Sequence, residues 1–509
     1  MSALDPVSLA VLSSALVGIA EEMGAVLIRA AYSSNIKERR DCSTALFDAN
    51  GVMVAQAEHI PVHLGAMPEA VAAVKDRNAV AGDVFVLNDP YTGGTHLPDI
   101  TLVSPISSND EILGYAVSRA HHSDVGGMWP GSMPSDSRDI YQEGLIIPPI
   151  RLVERGEVVE DTMNLIASNS RTPELRRGDL RAQLAANGLA QERVQELIDR
   201  HGRGKLGAAF EEVIAYAERR TRAVLEDLPD GVYRATGQVE GDGITEDDVG
   251  LRATVTIDRD EMTIDFNGTS DAVDGNVNCP MAVTRAACFF ALRVLLPEDV
   301  PANSGAYAPV TIKAPAGSVV DAPRPSAVVA GNVETSQRVA DTVLQALSQA
   351  VPLLTDGQGT MNNLIIGGRG WTYYETIGGG QGAGPRGSGP SGVHVGMSNT
   401  LNTPIEALEL EYPLAVERYE LLYASGGDGI HSGGDGIVRS VRALEAARFA
   451  ILSDRRRRGP SGGDGGGDGR PGKNLLNRRS LPAKAHGDLA PDDVLTIETP
   501  GGGGWGRRD

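Results

Sequence analysis

The sequence predicts a multi-domain α/β protein of mixed α+β type, with a long N-terminal helix, mixed sheets, a helical middle segment and Gly-rich loops. Three observations predict it. The chain has 509 residues, enough for two to four domains with a sizeable core. Its apolar periodicity switches between helical and alternating spacing along the chain. Its 62 glycines, set against an aromatic content of only 4%, call for many tightly turned loops.

In chain order, Asp5-Pro6 reads as an N-cap with Pro at the first helical position. Leu9, Leu12, Leu16, Ile19, Met23, Val26, Leu27 and Ala30 then recur at helical spacing, which gives a long helix with a wide apolar face. After Asp41 the period changes. Ser43 to Asp48, the Asn50-Gly51 turn and Val52 to Ala55 read as a β-hairpin. Pro68 to Lys75 reads as a short helix. Asp83 to Leu87, Ile100 to Val103 and Leu113 to Ser118 read as strands. Pro173 to Leu228 is charged, Ala-rich and nearly free of Pro, as long helices are. From Gly231 the alternation returns, through Tyr233 to Glu240, Leu251 to Asp258 and Glu261 to Phe266. Asn278 to Leu296 and Glu334 to Ala350 read as helices, and Gly378 to Gly392 and Gly459 to Gly472 as Gly-rich loops. Four units follow: an α/β domain over 1–160 that carries the metal-type residues below, a helical segment over 161–229, an α+β domain over 230–350, and a Gly-rich, β-containing C-terminal domain over 351–509. No repeat at solenoid periods is evident.

The formal charge of −21 disfavours nucleic acid and anionic membrane as partners. Cys42, Cys279 and Cys288 make no disulfide framework, as expected in a reducing compartment. The N-terminus has no basic stretch before its apolar run, and Ser13, Ser14, Glu21 and Glu22 interrupt that run. It therefore reads as neither a signal peptide nor a membrane span, and the expected location is cytoplasmic.

The chemistry concentrates in Asn88 to Asp99 and Ser118 to Gly127. His96 and Asp99 are three apart, with Pro98 resisting regular helix between them, so a loop must aim them. His121 follows a strand. Two imidazoles with one or more carboxylates suit Zn, Mn or Fe as a divalent ion. His122, Asp124 and Asp89 are candidates to orient a ligand imidazole or accept a proton. Asp41, at the mouth of a strand, is within reach of the same place. The alternative is that these residues cap turns, as Asp and His do in Gly-rich loops. Spacing leaves both readings open.

Other motifs carry less. His59 and His63 lack the Glu of the zincin motif and flank Pro61, so a structural role or a pocket wall is expected. Gly382 to Gly387 matches G-x-G-x-x-G without a βαβ unit. Gly467 to Lys473 nearly matches a phosphate loop, but Asn474 stands where Ser or Thr would hold Mg²⁺. Gly459 to Gly463 matches a nucleophile elbow by letter alone. Arg455 to Arg458 reads as a solvated basic face, and Asn399 to Glu406, with Asn402 and Glu406, as a polar stretch suited to lining a pocket.

Ile36 to Ser43, Asn88 to Asp99, His121 to Gly127, Asn399 to Glu406, Ser453-Asp454-Arg455 and the closing Gly501 to Gly506 with Trp505 together resemble the hydantoinase B family. This family comprises the B-type chain, or B half, of ATP-dependent N-methylhydantoinases and 5-oxoprolinases, related to caprolactamase and to acetone and acetophenone carboxylase subunits. The resemblance spans nearly the whole chain and is more specific for the family than for the substrate. It implies a divalent metal held by His96, Asp99 and His121, with Asp41 as a fourth ligand. It also implies a separate hydantoinase A-type subunit that binds ATP and Mg, in a hetero-oligomer with two or more copies of each subunit.

The reaction so implied is hydrolysis of a C–N bond in a cyclic amide. The partner phosphorylates the carbonyl oxygen, and this chain supplies metal-activated water, with His122 or Asp124 as general base. Asp89, Asn402 and Glu406 would orient ligands or bind substrate. The rival within the family is a ketone carboxylase. The rival outside it is a non-catalytic scaffold whose metal only stabilises the fold.

Overall fold

The computed structural model describes residues 4–58, 60–109 and 111–508. The first helix, α1 (Pro6–Ala30), starts as expected, with the Asp5 carboxylate accepting from Ser8 N at 2.9 Å. By length and composition α1 could cross a membrane. Its apolar face, with Leu16, Ile19, Met23 and Leu27, is nevertheless buried in protein. It packs on the small residues Ala182, Ala186 and Ala190 of a later helix, which allow close approach. Then come α2 (Ser34–Lys37), α3 (Met67–Lys75), α4 (Glu160–Ser168), α5 (Pro173–His201), which bears those alanines, and α6 (Arg203–Glu226).

The first sheet has β1 (Cys42–Asp48), β2 (Met53–Glu58), β3 (Val84–Leu87), β4 (Asp99–Ser108), β5 (Glu111–His121), β6 (Ile150–Glu154) and β7 (Glu157–Val158). Their spatial order is β2-β1-β5-β4-β3-β6-β7. Side chains alternate across a strand. Leu46, Ala116 and Ala120 thus face α1 and α5, whereas Ala45, Phe47, Tyr115 and Val117 face the molecule's centre. This alternation decides where the site's side chains point.

The second sheet comprises β8 (Gly231–Glu240), β9 (Asp248–Asp258), β10 (Glu261–Asp265) and β11 (Val310–Lys313), the last pairing in parallel with β10. Here α7 (Met281–Leu295), α8 (Ser304–Tyr307) and α9 (Ser336–Leu347) complete the unit, α9 being preceded by a π-helical turn over Gly331–Thr335. The C-terminal part carries β12 (Asn363–Gly368), β13 (Trp371–Glu375), α10 (Ile405–Glu411), β14 (Leu414–Leu422), β15 (Gly436–Ala443), β16 (Ala447–Leu452), β17 (Lys473–Leu476), β18 (Arg479–Leu481), β19 (Lys484–Leu489) and β20 (Val494–Glu498). They form two sheets, β13-β12-β16-β19 and β14-β15-β20-β17-β18. Leu364, Ile366, Phe449, Val441 and Ile497 pack between them. The other face of β12 and β13, with Ile365 and Tyr374, joins the central core of the first two sheets.

The Gly-rich segments are packed rather than loose. Gly502 N donates to Gly434 O at 2.8 Å, Gly434 N to Gln381 O at 2.9 Å and Gly504 N to Gly467 O at 2.9 Å. A Cβ on Gly502 would sit 2.0 Å from Gln381 O, and one on Gly434 1.9 Å from Pro390 O. Extended segments this close leave no room for a side chain, which accounts for much of the C-terminal glycine.

The basic run is a solvated face only in its second half: Arg457 and Arg458 are exposed, whereas Arg455 is buried. Arg455 pairs with Asp356 at 2.8 Å and Asp341 at 3.1 Å, and Arg457 and Arg458 both pair with Asp248. The Glu240 carboxylate accepts from the backbone N of Arg456, Arg457 and Arg458 at 2.8–2.9 Å. The acidic partners lie about a hundred to two hundred residues away in sequence, beyond what local patterning reveals.

Candidate metal centre

The strand pairing of β4 and β5 sets Asp99 directly opposite His121, and Thr101 opposite Arg119. The two chemical residues are therefore the first of β4 and the last of β5, rather than lying beyond strand ends. Both point to the central face of the sheet. His96 arrives from the preceding loop, which Asn88 pins. Its Nδ2 donates to Leu97 O at 2.7 Å and Leu145 O at 2.9 Å, and its Oδ1 accepts from Ile147 N at 2.7 Å. The loop turns back through Gly93, at φ +100°, and Gly94, where a Cβ would meet Asn88 O at 2.2 Å. Both positions require glycine.

Three atoms converge. His96 Nε2 lies 3.0 Å from Asp99 Oδ1, His121 Nδ1 3.2 Å from the same oxygen, and the two nitrogens are 3.2 Å apart. All three side chains are buried. For ligand bonds of ~2.1 Å, adjacent ligands stand about 3.0 Å apart in an octahedral set and about 3.4 Å apart in a tetrahedral one. The observed triangle falls between these, so the residues fit a divalent ion. The other carboxylate oxygen is held for orientation. Asp99 Oδ2 accepts from Thr95 Oγ1 at 2.6 Å and lies 3.3 Å from His63 Nε2, while His63 Nδ1 meets Ser43 Oγ at 3.0 Å.

The electrostatics agree with a ligand role. Burial opposes the Asp99 charge, but His96 and His63 outweigh it and hold the carboxyl well below its usual range. Burial lowers the His121 pKa against the pull of Asp99, favouring the neutral ring whose nitrogen can bind a cation.

Other predicted residues are placed differently. The Asp41 side chain is buried at the end of the same face, 4.0 Å from Arg39, and its backbone O accepts from His121 N at 3.0 Å. Its carboxylate is not part of the three-atom set. The structure does not turn His122 or Asp124 toward the triad. Strand alternation sends the His122 ring to α5, where Nε2 meets Gln183 Oε1 at 2.9 Å. Burial, then the charge of Arg176, pushes its pKa down to about 3. Asp124 spends one oxygen on Gly126 N and Arg171 N, and the other on Gly131 N and the Arg171 guanidinium. These contacts fasten a loop. Asp89 caps Tyr91 N at 3.1 Å and pairs with Arg324. Glu406 is exposed in the first turn of α10, while Asn402 is half-buried in a stretch docked on Arg39. His63 takes a structural role, bridging Ser43 and Asp99, and His59 lies outside the described residues.

Two contacts had no signal in the sequence. The Tyr374 ring, from β13, stacks on His121 with centroids 4.6 Å apart and planes at 14°. The buried Arg39 guanidinium lies 4.6 Å from the Tyr374 ring centre and donates to Tyr374 O at 3.1 Å and Thr376 Oγ1 at 2.7 Å. A cavity of about 790 Å³ opens between the second sheet's helices and the Gly-rich segments, beside Phe290, Leu344, Gln345 and Trp505; no triad residue lines it.

Fold and site together define a mixed α+β chain with a buried His–Asp–His centre at the junction of its N- and C-terminal sheets. The chain belongs to the hydantoinase B/oxoprolinase family, whose model matches residues 5–508. It is 41% identical to 5-oxoprolinase 1 of Arabidopsis thaliana over 99% of this chain, but spans only 42% of that protein. It is 33% identical to the putative B chain of a D-/L-hydantoinase from a Pseudomonas species, covering 99% of this chain and 90% of the relative. Among solved structures, the ATP-dependent caprolactamase of Pseudomonas jessenii superposes with a TM-score of 0.91 at 29% identity, over 99% of this chain and 92% of the other. Acetone carboxylase, at 19% identity and a TM-score of 0.89 over 99% of this chain and 76% of the other, shares the fold.

Proposed function

We propose that this chain is the metal-dependent hydrolytic subunit of an ATP-dependent cyclic-amide hydrolase of the hydantoinase/5-oxoprolinase type. It would open a ring that a hydantoinase A-type subunit has activated with ATP and Mg. The observation that carries the proposal is the triangle of His96 Nε2, Asp99 Oδ1 and His121 Nδ1, with edges of 3.0–3.2 Å, in a member of this family. A bound Zn, Mn or Fe ion would supply water acidified toward neutral pH. The chain's own residues do the rest. His96, Asp99 and His121 hold the ion, with Asp41 within reach as a fourth ligand. Thr95 and His63 fix the carboxylate, and Tyr374 fixes the plane of His121.

The assembly is read as a cytoplasmic hetero-oligomer with two or more copies of each subunit, its substrate a small cyclic amide. A scaffold metal is the second reading, favoured by the near-complete burial of the triad. Co-expression with an A-type subunit tests the first. His121→Ala should abolish metal retention and ATP-dependent ring opening together, on hydantoin, 5-oxoproline or a lactam. Full activity in metal-depleted His121→Ala, or ring opening by this chain alone without ATP, would reject the proposal.

A further inference from the structure

Helix α5 packs on β4 and β5, and it carries Gln183, Asn187 and Gln191 at intervals of four, along one face. Each directs its amide at the sheet. Gln183 Nε2 donates to Ile100 O in β4 at 3.0 Å and to Ser118 O in β5 at 3.2 Å, so one buried amide spans both strands. Asn187 Nδ2 reaches Ser104 Oγ at 2.9 Å, with Leu102 O and Ala116 O each at 3.3 Å. Gln191 holds Ser107 by both backbone groups: its Oε1 accepts from Ser107 N and its Nε2 donates to Ser107 O, each at 2.8 Å. The amides reach the backbone because the β5 residues on this face, Ala116, Ser118 and Ala120, are small.

The apolar pattern of the strand pair does not by itself fix its alignment. Asp99 to Ile106 of β4 and Gly114 to His121 of β5 are buried on both faces, so no solvent-facing side marks the correct register. Yet the metal triangle needs one register. Asp99 pairs with His121, and that alignment runs to Ile106 opposite Gly114. A slip of one residue would set Asp99 opposite Ala120 or His122 and send the carboxylate and the His121 ring to opposite faces. Immediately beyond Ile106 the alignment does shift by one: Ser107 pairs with Ile112, and Leu113 has no partner in β4. An extra residue of this kind disrupts the backbone ladder locally, and moving it along the strands slips the pair. Gln191 grips Ser107 at that point.

We propose that Gln183, Asn187 and Gln191 are positioning residues for the metal centre, an amide ladder on α5 that holds β4 and β5 in the register that sets Asp99 opposite His121. This rests on the reading of the triad as a metal centre. None of the three belongs to the triad itself. The first rung is fastened beside the ligands, since Gln183 Oε1 also meets His122 Nε2 at 2.9 Å.

The test loads the full chain with cobalt(II), whose visible absorption reports the ligand set, and reads affinity by competition with a chelator. Gln183→Met and Gln191→Met keep the length of the side chain and remove the amide. Gln183→Met should hold cobalt about tenfold more weakly, the lower end of the effect of outer contacts on a metal site, with an altered visible band. Gln191→Met should change both in the same direction. Gln195→Met, on the same helix but bonded to Asp199, should change neither. The ladder is overturned if folded Gln183→Met and Gln191→Met keep the wild-type affinity and band, even where their melting temperatures fall, because the amides would then add only stability. Should Gln183→Met not fold, Gln191→Met, at a half-buried position, decides alone by the same two readouts. Wild type that takes up no cobalt would instead be a failure of the metal-centre reading, and the ladder's role would fall with it.

Discussion

Replacing Thr95 with Val probes the metal centre without touching a ligand. The two side chains have nearly the same shape, so packing is kept, but the hydroxyl that donates to Asp99 Oδ2 at 2.6 Å is lost. Both residues are buried, and the remaining contact on that oxygen, from His63, is longer at 3.3 Å. A hydrogen bond to a charged group contributes about 1.5–3 kcal/mol, and loss of an outer partner to a metal ligand typically costs about 10–100-fold in affinity. Thr95→Val should therefore hold zinc about 10- to 100-fold more weakly, read by competition with a chelator of known affinity. His63→Ala should fall nearer the lower end, its bond being longer. The reasoning is refuted if Thr95→Val folds normally and holds zinc as tightly as wild type, because Asp99 would then need no second anchor.

Gly502→Ala should destabilise the C-terminal part by about 3–5 kcal/mol, since the new methyl would meet the Gln381 carbonyl at 2.0 Å and the obstacle is backbone; a melting profile like wild type would contradict the close-packed glycine layer. Glu143, its acidity weakened by burial to a pKa of about 8, accepts from Val328 N, Val329 N and Ser137 Oγ through one oxygen only. Its folded pKa is raised, so stability falls as pH rises from about 4.5 through about 8. Glu143→Gln, which keeps the acceptor, should flatten that fall in urea titrations at pH 6 and pH 8, and an unchanged slope counts against it. His122 has the opposite sign: its folded pKa is depressed to about 3, so its contribution is full above about 6.5 and is lost as pH falls toward about 3. His122→Gln should make the protein less sensitive to acid over that window, measured by melting temperature against pH, and an unaltered acid limb argues against a neutral buried ring.

Local patterning was enough for α1, the β1–β2 hairpin and the long pair α5 and α6, because each is decided by its own capping, turn or periodicity signal. It gathered His96, Asp99 and His121 within a wider set of His and Asp residues, which only the family resemblance narrowed to these three; the structure brings them together because they come from one antiparallel strand pair and the loop before it. It could not show that the His122 ring turns away from the triad. Neighbours in sequence point to opposite faces at a strand end, so proximity to His121 along the chain moves a side chain away from it. It missed the burial of Arg455, because its counter-charges, Asp341 and Asp356, are remote in sequence, while Arg457 and Arg458 are exposed as expected and also pair with Asp248. Arg39 lay within a noticed motif, but its contact with Tyr374 is tertiary and has no local trace.

The placement of Tyr374 bears on why the chain is built as one piece. The ligands all come from the N-terminal sheet, which also has its own core against α1 and α5. That sheet alone would leave the His121 ring bare on its central side. β13 covers it with an aromatic ring, and Arg39 ties that ring's backbone to the N-terminal part through a buried hydrogen bond of 3.1 Å. Tyr374 in turn donates to Asn363 Oδ1 at 2.8 Å, and the amide of Asn363 reaches Leu452 O, so the ring is braced within the C-terminal sheet. The imidazole plane is thus set by a partner that arrives only when the two parts dock. Dispersion across stacked rings is short-ranged, so a small displacement of β13 would free His121 to turn away from Asp99. If the triad holds a metal as proposed, its affinity would be a property of the docked whole, and substitutions at the seam should reach the ion through His121 before they reach it any other way.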